Sequence, residues 1–334
     1  GAVVVVFLHN VPYKWFQVFP VFLYPISLVL LAFVTLMGII TGDRVNGAAR
    51  WMTFMGLQFQ PSELAKMAVI IAVSFILSKR QDEEGANPKA FKYIMILTGL
   101  VLLLIAPENL STAMLLFGVV FMMMFIGRVA AKKLLLLAGG LVLIVALGVG
   151  TVVAIPAKTL HNTPGLHRLE TWQNRIKGFF DKDEVPAAKF DIDKDAQIAH
   201  ARIAIATSHV VGKGPGNSIQ RDFLSQAFSD FIFAIVIEEM GLIGGIFVVF
   251  LYLCLLMRAG RIAQKCERTF PAFLVMGIAL LLVSQAILNM MVAVGLFPVT
   301  GQPLPLVSKG GTSTLINCAY IGMILSVSRY TAHL

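Results

Sequence analysis

Charged residues are scarce in this chain, and their scarcity excludes an ordinary soluble domain. Only 13% of the 334 residues are Asp, Glu, Lys or Arg, whereas 57% are hydrophobic. Repeated apolar runs of about 20 residues are typical of transmembrane helices. The sequence therefore predicts a single transmembrane bundle over residues 1–334. The net charge of +9 does not indicate nucleic-acid binding, because basic residues gather in the cytoplasmic loops of membrane proteins.

Cysteine is also rare, and its pattern excludes a disulfide framework or a zinc site. Cys254, Cys266 and Cys318 form no C-x-x-C pair, so we predict that all three are unpaired. Two other binding motifs are incomplete. The glycine-rich segment 212–218 lacks the spacing of a nucleotide-binding loop. The acidic segment that begins at 191 lacks the glycine and the glutamate of a calcium-binding EF-hand.

The apolar runs predict an all-α polytopic membrane protein with about eight full spans. No cleavable signal peptide is visible. A shorter apolar run at 1–8 is too short to cross a bilayer, and we expect it to be the tail of a helix whose start is missing. The predicted spans are 18–40, 62–78, 92–106, 109–127, 133–155, 230–257, 270–295 and 312–328.

The distribution of Lys and Arg predicts which loops face the cytoplasm. These residues are concentrated in the loops 9–17, 79–91, 128–132 and 258–269, whereas the short loops on the other side have few. Because basic residues favour the cytoplasmic side, the long loop 156–229 is predicted to be extracytoplasmic. A loop of this length is usually functional. Within it, residues 197–207 are predicted to form a short helix on the membrane surface.

Asp230 opens a long apolar segment just after this loop and is our candidate for chemistry. Ionisable groups near membrane depth mark functional sites. Free amides at a helix N-terminus favour an ionised carboxylate, which could act as a general base or hold a divalent cation. The alternative is a simple helix cap, although Ser229 could fill that role alone. Asp222 would lie nearby if the loop folds back, and paired carboxylates shift each other's pKa.

Two further acids, Glu238 and Glu239, lie deeper in the same apolar segment. Adjacent residues of a helix cannot face the same direction. At least one of the two must therefore point into the bundle and find a partner, or be protonated. We favour a structural or gating role for this pair over direct chemistry.

Basic residues on the predicted outer side could hold an anionic substrate. Pro61 suits the first turn of a helix, and Ser62 could cap it. Glu63 and Lys66 can pair on one face of that helix or contact substrate. The Pro- and Gly-rich stretch 295–313 predicts irregular backbone inside the protein or along a wet cavity. The cations that could grip a phosphate there are Lys309, Lys213, Arg202, Arg221 and Arg50. An amphipathic anion such as a lipid-linked phosphate is therefore the predicted substrate.

Five motifs together resemble the SEDS family (shape, elongation, division and sporulation), and they occur in that family's order over essentially the whole chain. The segment 298–301 favours the division branch, with the elongation branch as second choice. The motifs are NGAARW at 46–51, FQPSELAK at 59–66, GKGPGNS at 212–218, DFIFA at 230–234 and PLPLVSKGG at 303–311.

The resemblance implies ten spans, of which this chain lacks the first and part of the second. It implies a peptidoglycan glycosyltransferase that polymerises lipid II on undecaprenyl pyrophosphate, with the family's essential aspartate at Asp230. The implied partners are a class B penicillin-binding protein and other division proteins, at the septum of the bacterial cytoplasmic membrane. The predicted substrate-binding residues are Asp222, Arg50, Trp51, Glu63, Lys66, Lys213, Arg221, Ser308 and Lys309.

The sequence departs from the family pattern at several places, among them 106–112, 226–229, Thr300 and Lys309. Thr300 stands where some division members have an important lysine, and Lys309 stands where the family has tyrosine. No cofactor is assigned, although Mg²⁺ or Mn²⁺ could stabilise the leaving pyrophosphate. Two other functions remain open, namely a lipid II flippase and a non-catalytic scaffold. A flippase needs charged residues through its full depth, whereas the candidates here cluster on one side.

Overall fold

The computed structural model describes residues 1–40, 52–54, 57–82, 85–154, 173, 195–224 and 229–332 and is mainly helical. Its helices are α1 Ala2–Asn10, α2 Phe19–Ile40, α3 Pro61–Lys79, α4 Pro88–Ile105, α5 Leu110–Ile126, α6 Ala131–Ala154, α7 Asp195–Ala206, α8 Ile232–Gln264, α9 Thr269–Ala293 and α10 Gly311–Ala332. Single 3-10 turns cover Tyr13–Gln17 and Gln220–Phe223. Two small antiparallel hairpins pair β1 Met52–Phe54 with β2 Leu57–Phe59, and β3 Gln81–Asp82 with β4 Gly85–Ala86.

The helices agree with the predicted spans to within about four residues, except that α8 continues to Gln264, seven residues past the predicted end at 257 and into the predicted loop 258–269. Among the described residues, seven helices are long and apolar enough to cross a membrane, and α5 is a slightly shorter apolar helix. The all-α polytopic fold class is therefore confirmed. The predicted helix 197–207 is also confirmed, as α7. Most of the loop 156–229 lies outside the described residues, so its organisation stays a prediction.

Local sequence explains where several helices begin. The Asn87 side chain accepts a hydrogen bond from the Lys89 amide at 3.0 Å, ahead of α4. Asn109 does the same for the Thr112 amide at 3.2 Å, ahead of α5. Both are asparagine caps, which satisfy amides that have no partner within the helix.

The start of α3 differs from the prediction in one detail. Pro61 occupies the first turn as expected, and its fixed φ suits that position. The cap residue, however, is Gln60 and not Ser62, and the Gln60 carbonyl accepts the Glu63 amide at 3.1 Å. Ser62 already lies inside the helix, because the proline begins it one residue earlier.

The described chain divides into two compact units. The first comprises Gly1–Thr151, Leu256–Leu282 and Gly311–Leu334. Its centre is α3, whose side chains are mostly buried and which contacts α2, α4, α5 and α10. α1 packs along α10. After Lys66 this helix is apolar on nearly every side, as the interior of a bundle requires.

The second unit comprises Val152–Leu255 and Val283–Gly310. It contains α7, the first part of α8, the end of α9 and the irregular segment 294–310. α8 is interrupted at Gly241, whose φ of 70° and ψ of −172° are not helical. Glycine reaches this conformation at little cost because it has no Cβ. The second unit holds Asp230, and its two irregular features determine the candidate site.

Candidate active site

Asp230 is half-buried and lies two residues before the first residue of α8. The Phe231 carbonyl accepts the Ala234 amide at 3.0 Å, so Phe231 holds the cap position and Asp230 precedes it. The Ser229 hydroxyl donates to the Asp230 carboxylate at 3.0 Å. The predicted place of this carboxylate, at the boundary between loop and span, is therefore confirmed.

The main chain on both sides of this carboxylate is tied to other parts of the second unit. The Asn289 side-chain amide donates to the Asp230 carbonyl at 2.9 Å. The Ser308 hydroxyl donates to the Ser229 carbonyl at 2.6 Å and accepts the Leu304 amide at 2.7 Å. Two buried polar side chains from separate segments thus fix the backbone that carries the acid. Such preorganisation holds a reactive group in one geometry.

The irregular segment 294–310 is held by polar side chains of neighbouring helices. Asn289 donates to the Gln302 carbonyl at 2.8 Å, and Gln285 donates to the Pro303 carbonyl at 3.0 Å. The Tyr252 hydroxyl donates to the Pro305 carbonyl. Non-helical backbone at membrane depth needs such partners, because lipid offers none. The irregular backbone predicted for 295–313 is confirmed up to α10; its depth in the membrane stays a prediction.

Lys213 and Glu238 form a close ion pair at 2.6 Å. The Glu238 side chain is fully buried, whereas that of Lys213 is 25% exposed. The Ser218 hydroxyl and the amides of Ile219 and Gln220 also donate to this carboxylate. The prediction that one of the two adjacent acids points inward and finds a partner is confirmed. The predicted contact of Lys213 with substrate stays a prediction.

Glu63 and Lys66 lie in the first unit and pair at 2.8 Å. The Lys66 side chain is fully buried and that of Glu63 is 4% exposed. The internal pairing predicted from their spacing is therefore confirmed. Their role in substrate binding stays a prediction.

The other predicted residues are distributed as follows. Arg221 is half-buried in the 3-10 turn, and the backbone of Asp222 follows it there. Lys309 is exposed, and Ser308 is buried with its hydroxyl bonded to backbone groups. Arg50 and Trp51 lie outside the described residues. Within the described part of the chain, no group of three His, Cys, Asp or Glu side chains could hold a metal ion.

Sequence reasoning missed Gln285, Asn289 and Gln302. Gln285 and Asn289 are four residues apart, which places them on one face of α9, and both are buried. Two polar side chains on one face of an otherwise apolar span were a usable signal, because polar groups in a span usually have partners in the protein. Gln302 contributes its carbonyl, so its side chain gave no signal.

These features define a polytopic helical membrane protein with a carboxylate held at the mouth of a span. The chain matches the model of the FtsW, RodA and SpoVE family, described as "Cell cycle protein", over residues 1–333. The chain belongs to this family, and the predicted SEDS resemblance is confirmed. It is a multi-pass membrane protein.

Known relatives agree with this assignment. The "Probable peptidoglycan glycosyltransferase FtsW" of Trichlorobacter lovleyi is 33% identical over 330 residues, which are 98% of this chain and 80% of the relative. A chain of a peptidoglycan synthase complex, solved for the coordination of polymerization and crosslinking, superposes with a TM-score of 0.74 at 26% identity, covering 99% and 87% of the two chains. The rod shape determining protein RodA of Thermus thermophilus gives 0.65 at 25%, covering 98% and 84%. The relative of the division type agrees with the branch that the sequence favoured.

Proposed function

We propose that this protein is a peptidoglycan glycosyltransferase that polymerises lipid II into β-1,4 glycan strands at the outer face of the cytoplasmic membrane. The observation that carries the proposal is the half-buried Asp230 carboxylate, whose main chain is fixed by Asn289 and Ser308. The curated relative named as a glycosyltransferase supports the reaction class. A carboxylate at the water–lipid boundary suits a substrate with a lipid tail and a polar head.

The chemistry assigned to Asp230 is that of a general base. It takes the proton from the 4-hydroxyl of the GlcNAc unit of lipid II, or orients that hydroxyl. The hydroxyl oxygen attacks the anomeric carbon of MurNAc in the growing chain, which is linked to undecaprenyl pyrophosphate. A β-1,4 bond forms as the α-linked pyrophosphate leaves, so the configuration inverts. One carboxylate is enough, because pyrophosphate leaves without taking up a proton.

Cations must stabilise the negative charge that develops on the leaving pyrophosphate. The cations predicted for this role include Arg221 and Lys309 of the second unit, and Lys309 is exposed. Mg²⁺ or Mn²⁺ could share this role, since both ions prefer oxygen ligands such as those of the pyrophosphate. The metal would then act by neutralising charge.

The partners and the location of the reaction belong to the same proposal. We place the protein at the division septum, with the loop 156–229 outside the cytoplasm. Its partners are a class B penicillin-binding protein, which crosslinks the strands, and other division proteins. The match to a chain of a peptidoglycan synthase complex supports the first of these partners.

Replacing Asp230 by asparagine should abolish polymerisation. The change keeps the shape of the side chain but removes the base, and loss of a general base costs about 10²–10⁴-fold in rate. The assay feeds fluorescent lipid II to the protein purified with its penicillin-binding partner, whose transpeptidase is blocked, and separates the glycan products on gels. Asp82→Asn is the matched control, because Asp82 is exposed in β3 of the first unit.

The outcomes separate the three functions. Ladders from the wild type and Asp82→Asn alone support a polymerase with Asp230 as its base. Equal ladders from Asp230→Asn would remove Asp230 from catalysis. If no protein, the wild type included, gave a ladder, the polymerase would be contradicted. Lipid II flipping would then be measured in vesicles. Absence of flipping as well would leave the scaffold. A chelator that stops the wild-type reaction, reversed by Mg²⁺ or Mn²⁺, would support the metal.

A further inference from the structure

Glu238 is a fully buried acid for which the proposed reaction has no use. Its carboxylate accepts hydrogen bonds from the Lys213 ammonium at 2.6 Å and from the Ser218 hydroxyl. It also accepts the Ile219 amide at 3.2 Å and the Gln220 amide at 3.3 Å. All four donors belong to the loop segment 213–220. One carboxylate therefore holds most of this loop segment at a single point.

The backbone at the break in α8 is joined to the same loop. A break at Gly241 leaves the carbonyls of residues 238 and 239 without the amides of 242 and 243, which an unbroken helix would supply. The loop supplies both sets of partners. The Lys213 and Gly214 amides donate to the Glu238 and Glu239 carbonyls at 2.9 and 2.8 Å, while the Leu242 and Ile243 amides donate to the carbonyls of residues 209 and 210 at 3.3 and 3.4 Å.

Two glycines allow the backbone of the loop to approach the break in α8 this closely. A Cβ on Gly212 would lie 2.3 Å from the Gly241 amide nitrogen, and a Cβ on Gly241 would lie 2.2 Å from the Val210 carbonyl oxygen. Both glycines have positive φ, at 81° and 70°. The backbone of the loop therefore lies directly in the break, where no side chain could be accommodated.

The segment fixed by Glu238 leads into the 3-10 turn Gln220–Phe223, which carries Arg221 and Asp222. The Ser218 hydroxyl, which donates to Glu238, also accepts the Arg221 amide at 3.1 Å. On its other side the turn is held by His200 of α7. The His200 ring nitrogen lies 2.6 Å from the Gln220 side-chain oxygen, and its ring stacks on Phe223 with centroids 5.2 Å apart.

We propose that Glu238 is a positioning residue, whose buried carboxylate fixes the loop 213–220 in the break of α8 so that Arg221 and Asp222 are held in place for substrate. This inference rests on the proposed function, because it assigns the geometry of that site. Lys213 is then the partner that neutralises Glu238, and its ammonium is not a ligand of the pyrophosphate. A buried acid deprived of its cation is strongly destabilising, so the two residues act as one unit.

Two measurements on the full chain test this positioning role. The first is hydrogen–deuterium exchange of peptides covering 213–224, which requires no activity. The second is lipid II polymerisation with the penicillin-binding partner present. The variants are Glu238→Gln, Lys213→Met and the double variant. Glu239→Gln is the matched control, because it is the same substitution at the next residue, whose side chain is half-buried.

We expect Glu238→Gln to speed exchange in this segment about tenfold or more, because the amide cannot serve all four donors. Its kcat/KM for polymerisation should fall by a similar factor, while Glu239→Gln matches the wild type in both measurements. Lys213→Met should raise exchange in the same peptides. The double variant should be no worse than the worse single variant, since residues of one network are not additive.

Three results would overturn the inference. The first is wild-type exchange in Glu238→Gln, whatever its activity. The second is wild-type exchange in Lys213→Met with a large loss of polymerisation, which would make Lys213 a substrate ligand. The third is faster exchange in Glu238→Gln with an unchanged kcat/KM. A wild type that makes no glycan contradicts the proposed function alone, because the exchange measurement still reports on the loop.

Discussion

Asn289 connects the candidate base to the irregular segment that faces it. Its side-chain amide donates to the Asp230 carbonyl at 2.9 Å and to the Gln302 carbonyl at 2.8 Å. The residue is 1% exposed, so water cannot easily replace it. Its side-chain oxygen has no hydrogen-bond partner among the residues that the structure describes. Asn289 therefore holds the main chain of Asp230, which makes it a candidate positioning residue.

Replacing Asn289 by leucine should lower the rate of lipid II polymerisation by more than its loss of stability explains. The variant leaves two buried carbonyls without a donor, which costs about 1–3 kcal/mol per group. It also frees the main chain at Asp230, where a small displacement of a catalytic group can cost about 100-fold in rate. The measurements are the initial rate of lipid II polymerisation and the thermal unfolding midpoint in detergent.

Gln285→Leu is the matched control for this variant. Gln285 lies one turn earlier on the same face of α9, is equally buried and donates to the Pro303 carbonyl, away from Asp230. We expect both variants to lose stability, Asn289→Leu the more because it leaves two carbonyls without a donor. Only Asn289→Leu should lose more rate than its loss of stability explains. Equal losses of rate would show that Asn289 only supports the segment 294–310.

At the scale of the element, α8 is the helix whose shape matters most for the site. Its first part carries Glu238, and its course changes at Gly241. The break is stable because the loop 209–214 supplies hydrogen-bond partners on both sides of it. A helix broken in this way keeps its backbone groups satisfied, which is a requirement at membrane depth.

Gly241→Ala should destabilise the protein and slow polymerisation. A Cβ there would lie 2.2 Å from the Val210 carbonyl oxygen, and the φ of 70° disfavours any residue other than glycine. Backbone strain of this kind costs about 1–3 kcal/mol before the clash is counted. The unfolding midpoint and the exchange rate of peptides around 209–214 would measure the effect.

Gly260 provides the control within the same helix. It lies in α8, and a Cβ on it would meet nothing within 4 Å. Gly260→Ala should therefore be neutral or stabilise the helix by about 0.5–1 kcal/mol. If Gly241→Ala behaved like Gly260→Ala, the break would not depend on glycine.

The helices and the break in α8 differ in how far sequence could predict them. Apolar runs determine spans, so α2, α3 and α9 were predicted to within a few residues. The break could not be predicted in the same way, because the run 230–257 is continuously apolar and Gly241 alone is an ambiguous signal. The partners of the break come from a loop about 30 residues earlier in the chain. Only tertiary structure brings them together.

In the candidate site, too, local features could be predicted from sequence, whereas contacts between distant segments could not. Asp230 was found because a carboxylate at the start of an apolar run is costly without a function. The pair of Glu63 and Lys66 follows from their spacing on one helix. The four donors to Glu238 come from a separate segment, and Asn289 reaches Asp230 across 59 positions of sequence. Spacing along the chain carries no information about such contacts.

At the scale of the whole molecule, the orientation in the membrane decides which side the chemistry occupies. The distribution of Lys and Arg predicts that the loop before α8 is outside and that the loops around β3 and after α8 are inside. Asn217 is exposed in the first of these loops, and Asp82 is exposed in β3. If this predicted orientation is right, single cysteines at these two positions would face opposite sides of the membrane.

Labelling of intact cells with a membrane-impermeant maleimide should modify Asn217→Cys and spare Asp82→Cys. Both should react once the membrane is permeabilised, which controls for accessibility of the thiols. The background is a variant in which Cys254, Cys266 and Cys318 are replaced by serine. Of these, Cys266 would contribute little even if retained, because burial raises the pKa of its thiol to about 11 and the thiolate is the reactive form.

The reverse labelling pattern would place the loop before α8, which carries Asn217, in the cytoplasm. Asp230 follows that loop directly, so a polymerase using lipid II at the outer face would then be contradicted, whatever the effect of Asp230→Asn on activity. Labelling of both positions in intact cells would indicate damaged membranes. The expected pattern leaves Asp230 on the side where lipid-linked donor and growing strand meet, and it makes the loss of its carboxylate interpretable as a loss of chemistry.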